Sequence, residues 1–135
     1  TLSSEELDKE FDTTVKSPIL LTQAYLNALG QHQAGKIFFM SSSAGLIDRP
    51  GSSHQPLYAA SKAAITRFSQ CLNESLNSTL VSSTVLIPGN MRNYSEGDER
   101  LLAENAITMD SVAQTLVNLA EHPTRISVDK VIVEV

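Results

Sequence analysis

The sequence predicts an α/β fold built on a parallel sheet, because short apolar runs alternate with segments of helical spacing. We interpret Lys36 to Ser41, Leu80 to Ile87 and Ser127 to Val135 as strands. The helices between them are predicted from about Tyr58 to Leu76 and from about Met109 to Ala120. No repeat or low-complexity tract divides the chain, so we expect one domain over its whole length.

The first helix is predicted from a capping box, Ser3-Ser4-Glu5-Glu6, and continues to Gly30. Pro18 lies inside this helix and should kink it, because proline has no N–H to donate to the carbonyl four residues earlier. At the start of the last helix, Asp110 is the candidate N-cap. The segment from Met91 to Ile107 is polar, mixed in charge and without clear periodicity, and we expect a loop there.

The inner face of the middle helix is predicted from its apolar residues. These are Ala60, Ala64, Phe68, Cys71, Leu72 and Ser75. Cys71 is the only cysteine, so it forms no internal disulfide, and we expect it to be a small buried hydrophobic residue. A single cysteine is typical of a reducing compartment, and we predict a cytoplasmic protein.

Composition argues against several classes of partner. The formal net charge is −5 and no basic block occurs, so nucleic acid is not an expected partner. No apolar run approaches the roughly 20 residues that span a bilayer, so we expect no membrane segment. His32, His54 and His122 lack the spacing of metal ligands. His54 precedes Tyr58 in a loop and is either a substrate contact or simply exposed to solvent.

The most informative motif is Tyr58-Ala59-Ala60-Ser61-Lys62. A Tyr and a Lys four residues apart lie on the same face of a helix. The ammonium group favours the phenolate form and so lowers the pKa of the phenol. Such a Tyr exchanges protons near neutral pH, and a Ser at the end of the preceding strand is a candidate to hold a substrate oxygen. The motif therefore predicts proton transfer to or from a small molecule.

Three segments together resemble one protein family. They are Gly35 to Gly45, which ends in Met-Ser-Ser-Ser-Ala-Gly, then Tyr58 to Lys62, then Pro88-Gly89. In this order they are similar to the active-site half of the short-chain dehydrogenase/reductase family. The resemblance implies a Rossmann-like doubly wound parallel sheet, with the N-terminal cofactor half missing from this chain. It also implies an NAD(P)-dependent oxidoreductase that interconverts a carbonyl and an alcohol, as a homodimer or homotetramer.

The resemblance assigns roles to individual residues. Tyr58 would be the acid/base, and Lys62 would lower the pKa of Tyr58 and hold the nicotinamide ribose. Ser42 would orient the substrate oxygen, because counting from both Gly35 and Gly45 places it on the family position, and Ser41 and Ser43 would point elsewhere or cap the loop. The expected cofactor contacts are Tyr58, Lys62, Pro88, Gly89, Met91 and Asn93.

Two features depart from the family pattern. Thr14 stands where the family has an Asn whose main-chain carbonyl reaches the Lys through a water. Because Pro18 cannot donate to the carbonyl of Thr14, we expect that carbonyl to remain free and the relay to survive. The glycine-rich turn that seats the pyrophosphate is absent from this sequence. The family reads the choice between NAD and NADP mostly after its second strand, which is also absent here, so that choice stays open. The alternative to an enzyme is a non-catalytic binding or scaffold protein, or an incomplete fragment.

Overall fold

The computed structural model describes residues 2–30, 32–50, 55–123 and 127–135. Its helices are α1 (Ser4–Phe11), α2 (Ser17–Ala28), α3 (Pro56–Ser75), α4 (Glu99–Ala103) and α5 (Met109–Glu121). Its strands are β1 (Gly35–Met40), β2 (Val81–Pro88), β3 (Met91–Arg92), β4 (Ile107–Thr108) and β5 (Lys130–Val133). A π-helical turn, Asp12–Lys16, joins α1 to α2, and a short 3-10 turn, Ser43–Gly45, follows β1.

The sheet confirms the predicted α/β architecture. Its strands are parallel in the order β1-β2-β5, with β2 in the centre. Phe39 pairs with Val85 in register and, together with Ile87 and Ile65, forms the buried core. Ile19 of α2 and Phe68 of α3 pack against this core, so both helices cover one face of the sheet.

The opposite face of the sheet is held to α5 by a lysine. Lys36 lies next to Ile37 in β1, and neighbouring residues of a strand point to opposite faces. Its ammonium donates to the carbonyls of Leu119 at 2.8 Å and Ala120 at 3.2 Å, and also to that of His122. A cation there satisfies carbonyls that the end of a helix leaves unpaired. Helices therefore flank both faces, as in a doubly wound sheet.

The first helix begins as predicted and is interrupted in a different manner. Ser3 and Glu6 form the reciprocal capping box: the Ser3 N–H donates to Glu6 Oε2 at 2.8 Å. The interruption ahead of Pro18 is a widened π turn, where the N–H and the hydroxyl of Ser17 both donate to the carbonyl of Asp12. Such turns insert an extra residue into a helix without ending it, so α2 continues beyond the proline.

The expected inner face of α3 is wrong in part. Cys71 is exposed, as are Ala60 and Ser75. The buried positions are instead Ser61, Ile65 and Ser69. Two of these three are serines, which a search for apolar residues does not find.

The segment from Met91 to Ile107 contains more structure than the predicted loop. It holds β3, α4 and β4, and the two strands pair in parallel as a separate ribbon. Asp110 is also not the N-cap of α5, because Thr108 Oγ1 accepts from the N–H of Ser111 at 3.0 Å. Within the described part of the chain, no helix is both long enough and apolar enough to cross a bilayer.

Candidate active site

The structure brings five of the predicted site residues to one cleft of about 660 Å³: Ser42, Tyr58, Pro88, Gly89 and Met91. The cleft lies where β1 and β2 end, since Ser42 follows β1 and Pro88 ends β2. Parallel α/β sheets bind ligands at the carboxyl ends of their strands. The position of the cleft is therefore the one that the fold favours for a ligand.

A second groove of similar size, about 710 Å³, runs along α3 and includes Ala63, Arg67 and Leu46. Neither Ser42 nor Tyr58 lines it. We identify the first cleft as the candidate active site because it holds Tyr58, the predicted acid/base, together with the strand-end hydroxyl of Ser42.

The three serines that follow β1 differ in burial and in hydrogen-bond partners. Ser41 is buried: its hydroxyl donates to the carbonyl of Lys62 at 2.9 Å and accepts from Thr66 Oγ1 at 2.6 Å. Ser42 caps the 3-10 turn, with its Oγ accepting from the N–H of Ala44 at 3.2 Å. That contact uses a lone pair of Ser42 and leaves its hydroxyl proton available to a substrate oxygen. Ser41 and Ser43 also line the cleft.

Gly45 sets the distance between this turn and α3. A Cβ at this position would lie 2.7 Å from both Lys62 C and Ala63 N, which are main-chain atoms of α3. Main-chain atoms of a helix do not give way as the end of a flexible side chain does. Glycine therefore permits the close packing that places Ser42 beside the first turns of α3.

Tyr58 and Lys62 lie one turn apart near the start of α3, which Pro56 opens. The ammonium of Lys62 lies 5.4 Å from the centroid of the Tyr58 ring. It also donates to the carbonyl of Met40 at 3.2 Å, and this bond ties it to the end of β1. An ammonium carries three N–H donors, so two remain for other acceptors. Lys62 is not among the residues that line the cleft.

Thr14 does not line the cleft either, but it contacts a residue that does. Its hydroxyl donates to Glu10 Oε1 at 2.9 Å, and the hydroxyl of Ser61 donates to the same oxygen at 2.5 Å. The sequence reasoning did not identify Glu10. The available signal was its spacing of four residues from Thr14, which places the two on one helix face. The water relay through the Thr14 carbonyl stays a prediction.

The turn after β2 is fixed to the neighbouring strand, because the N–H of Gly89 donates to the carbonyl of Val133 at 2.9 Å. Asn93, an expected cofactor contact, is exposed and is not among the residues lining the cleft. Asn90 lines the cleft instead, and its Nδ2 donates to the carbonyl of Glu104 at 3.0 Å. The two-residue strand β3 directs the chain away from the cleft before Asn93.

We call residues 91–108 the charged flap. At its centre, Arg92 Nε donates to Glu104 Oε2 at 2.5 Å and Tyr94 Oη donates to Glu104 Oε1 at 3.0 Å. The hydrogen bond from Arg92, and then that from Tyr94, lowers the pKa of Glu104 below its ordinary value. Met91 at one end of the flap and Met109 just beyond the other end both line the cleft. The flap therefore borders the cleft at both of its ends.

A second carboxylate of the flap, Glu96, is bound by hydroxyls. Glu96 Oε1 accepts from Ser111 Oγ at 2.6 Å and from the hydroxyl of Thr108, and these bonds lower the pKa of Glu96, Ser111 contributing more. Within residues 2–30, 32–50, 55–123 and 127–135, no group of three or more His, Cys, Asp or Glu side chains is placed to hold a metal ion. His54, the candidate substrate contact, lies outside the described residues.

Comparison with known proteins identifies relatives along most of the chain. The family model described as short chain dehydrogenase matches residues 1–104. An uncharacterized short-chain type dehydrogenase/reductase of Sinorhizobium fredii is 30% identical over 96% of this chain and 54% of its own length. The bovine dehydrogenase/reductase SDR family member 7B is 32% identical over 80% of this chain and 30% of its own length. The chain thus spans about half the length, or less, of these relatives.

Solved structures give the same fold. Serine dehydrogenase complexed with NADP+ superimposes with a TM-score of 0.81 at 24% identity, covering 98% of this chain and 57% of that one. A short chain dehydrogenase from Burkholderia cenocepacia in complex with NADP gives a TM-score of 0.77 at 20% identity, covering 98% of this chain and 57% of that one. These similarities establish the fold as that half of a Rossmann-like sheet which the sequence predicted. The match of the family model over residues 1–104 shows that this chain belongs to the short-chain dehydrogenase family.

Proposed function

We propose that the protein is an NAD(P)-dependent oxidoreductase that interconverts a carbonyl and an alcohol, with Tyr58 as the acid/base. The observation that carries this proposal is that Ser42 and Tyr58 line one cleft while Lys62 lies 5.4 Å from the Tyr58 ring. The family relationship supports the same reaction class. Because the chain spans only about half of its relatives, the activity of the whole protein is part of the proposal.

In the proposed reaction, each residue has one task. The hydroxyl of Ser42 donates a hydrogen bond to the substrate oxygen and fixes its position. Tyr58 gives a proton to that oxygen during reduction and removes it during oxidation. Lys62 places a positive charge 5.4 Å from the centroid of the Tyr58 ring, and its bond to Met40 keeps the charge in place.

The residues present also fit the nicotinamide part of the cofactor. The two remaining donors of Lys62 match ribose hydroxyls, and the turn formed by Pro88 and Gly89 lines the cleft beside Met91. A bound nicotinamide supplies or accepts the hydride. NADP is present in two similar solved structures, which supports a nicotinamide cofactor without deciding between NAD and NADP here.

The expected partner is therefore a small carbonyl or alcohol substrate. We further propose a homodimer or homotetramer in which the helices spanning residues 4–29 and 58–76 form the subunit contact. A cytoplasmic location belongs to the same proposal, from the single cysteine.

The decisive test is Tyr58→Phe, which removes the hydroxyl and keeps the ring. In the protein at its native length, we expect the loss of nearly all NAD(P)-dependent turnover of a panel of ketones and secondary alcohols. The matched control is Tyr25→Phe, because Tyr25 lines a different groove and should leave turnover unchanged. If Tyr58→Phe retained the turnover of the unmodified protein, Tyr58 would not be the acid/base, and if the unmodified protein showed no turnover, the scaffold alternative would replace the enzyme.

A further inference from the structure

Glu10 differs from the other residues that line the cleft. Among the described residues that line it, Glu10 is the only charged side chain. The remainder are apolar, hydroxyl or amide side chains and glycine. Glu10 is half-buried, so its carboxylate is partly removed from water. A carboxylate in such a place requires hydrogen bonds or an opposite charge.

The position of Glu10 is fixed from two helices. Thr14 Oγ1 donates to Glu10 Oε1 from the π turn at 2.9 Å, and Ser61 Oγ donates to the same oxygen from α3 at 2.5 Å. Ser61 is fully buried and also contacts the carbonyl of Tyr58 at 2.9 Å. The carboxylate is therefore attached to the turn of α3 that carries Tyr58.

The hydrogen-bond partners of Glu10 are hydroxyl groups, as are those of Glu96 in the flap, whereas three other carboxylates pair with arginines. Glu104, Asp98 and Glu134 each pair with an arginine at 2.5 to 2.7 Å. Among the described residues, no lysine or arginine forms an ion pair with Glu10. Both hydrogen bonds that described residues donate to the Glu10 carboxylate end on Oε1, which leaves acceptor capacity on Oε2. Glu10 is thus a carboxylate in the cleft that forms no ion pair with a described lysine or arginine.

We propose that Glu10 determines specificity by accepting the ammonium group of an amino alcohol or amino ketone substrate. This inference rests on the proposed function, because the reacting oxygen must lie at Ser42 and Tyr58. Oxidation would send the hydroxyl proton to Tyr58 and the carbinol hydride to the nicotinamide, leaving an amino ketone. The ammonium group takes no part in the bonds that break or form, and its role is to bind and orient the substrate.

The test compares two probes of the same shape. In 1-amino-2-propanol an ammonium group occupies the place that a methyl group has in 2-butanol. Binding of each probe to the protein at its native length is measured by ligand-observed NMR titration with saturating NAD(P)H, the reduced cofactor, which cannot oxidise either alcohol. We expect the amino alcohol to bind about tenfold tighter or more, the range of a hydrogen bond between charged groups.

Two variants test whether Glu10 causes the preference for the amino alcohol. Glu10→Gln keeps an oxygen for Thr14 and Ser61 and removes the charge, so the preference for the amino alcohol should disappear while 2-butanol binds as before. Glu5→Gln is the matched control on the exposed side of α1 and should keep the preference. An unmodified protein without the preference, or a Glu10→Gln variant that retains it, would overturn the proposal.

The measurement separates this inference from the proposed function. If Glu10→Gln left the ratio of the two affinities unchanged while Tyr58→Phe abolished turnover, the oxidoreductase would stand and the ammonium site would not. If Tyr58→Phe left turnover intact while Glu10→Gln removed the binding preference, the cleft would be an ammonium-binding site without the proposed chemistry.

Discussion

The serine wall of the cleft, which we define as residues 41–45 with α3, and the charged flap are stabilised by different interactions. The wall is held by buried neutral bonds, such as those of Ser41 with Thr66 and with the carbonyl of Lys62. The flap is held by ion pairs such as Arg92–Glu104, whose side chains are 43% and 34% exposed. Buried neutral bonds do not respond to pH or salt, whereas exposed ion pairs respond to both. We therefore expect changes in packing to destabilise the wall, and changes in charge to destabilise the flap.

The largest effect is expected from Gly45→Ala in the wall. The new Cβ would lie 2.7 Å from main-chain atoms of α3, so the turn that carries Ser42 must move. Overpacking of this kind costs about 1–3 kcal/mol of unfolding free energy. A displacement of about 1 Å at a reacting group lowers turnover about 100-fold. Urea unfolding and steady-state kinetics measure the two effects.

Gly30→Ala is the matched control for that substitution. The nearest atoms to its Cβ belong to the flexible side chain of Gln33, at 3.4 Å and beyond. Stability and turnover should change little. Equal effects of Gly30→Ala and Gly45→Ala would show that close packing on α3 does not position Ser42.

Ser69→Ala, within α3, is expected to lower stability by a similar amount, but without the loss of turnover expected for Gly45→Ala. Ser69 Oγ and Ser83 Oγ are both fully buried and lie 2.8 Å apart. Removing one hydroxyl leaves the other buried without this partner, which costs about 1–3 kcal/mol. The double variant Ser69→Ala with Ser83→Ala should recover part of that loss, because no polar group is then left unpaired. A double variant no more stable than Ser69→Ala alone would contradict this.

The same buried serines explain where prediction from sequence succeeded and failed. The strand β1 contains the apolar run 37–40 and β2 the apolar run 85–87, and these runs predict both strands directly. On α3, however, Ser61 and Ser69 are buried because Glu10 and Ser83 satisfy their hydroxyls. A hydrophobic pattern carries no information about those hydrogen-bond partners. The inner face predicted from it is therefore displaced around the helix toward Cys71, which is exposed.

The site residues divide in the same way: local motifs predict some of them, and contacts with distant residues position the others. Ser42, Tyr58 and the Pro88-Gly89 turn lie next to strand ends or the start of a helix, and short local motifs mark such places. Asn93 was placed by counting from Gly89, and the two-residue strand β3 intervenes before it. A strand of that length has no periodicity to detect. Glu10 reaches the cleft through contacts with Thr14 and Ser61, one of them 51 residues away in sequence.

Glu104→Gln should accelerate amide hydrogen exchange in the flap more than in the wall. The substitution keeps an acceptor for Arg92 and Tyr94 but removes the charge that Arg92 pairs with. An exposed pair contributes little, so we expect hydrogen exchange of residues 91–108 to accelerate about two- to fivefold at low salt. High salt should bring the unmodified protein close to the variant. Amides of residues 56–75 should exchange at unchanged rates, and acceleration there would contradict the separation of the two regions.

The smallest effect is expected from acid. Arg100 donates to Asp98 through its side chain and its backbone N–H, and these bonds lower the pKa of Asp98 from 3.8 to about 2. A pKa that is lower in the folded state means that the contribution of Asp98 is complete above pH 3.8 and is lost as the pH falls toward 2. Methyl signals of Leu101 and Leu102 in α4 should therefore shift across this window, while those of Ile65 in the wall should not.

Asp98→Asn separates this carboxylate from the other acidic groups of the flap. Asn keeps an oxygen that caps α4 but does not titrate, so it should remove the change between pH 3.8 and about 2. The lowered pKa of Glu104 predicts a further loosening in acid, which Asp98→Asn should leave in place. If Ile65 shifted together with Leu101 in both proteins, acid would be unfolding the wall and the flap as one unit. Shifts confined to α4 would show that charge stabilises the flap independently of the packed wall beside it.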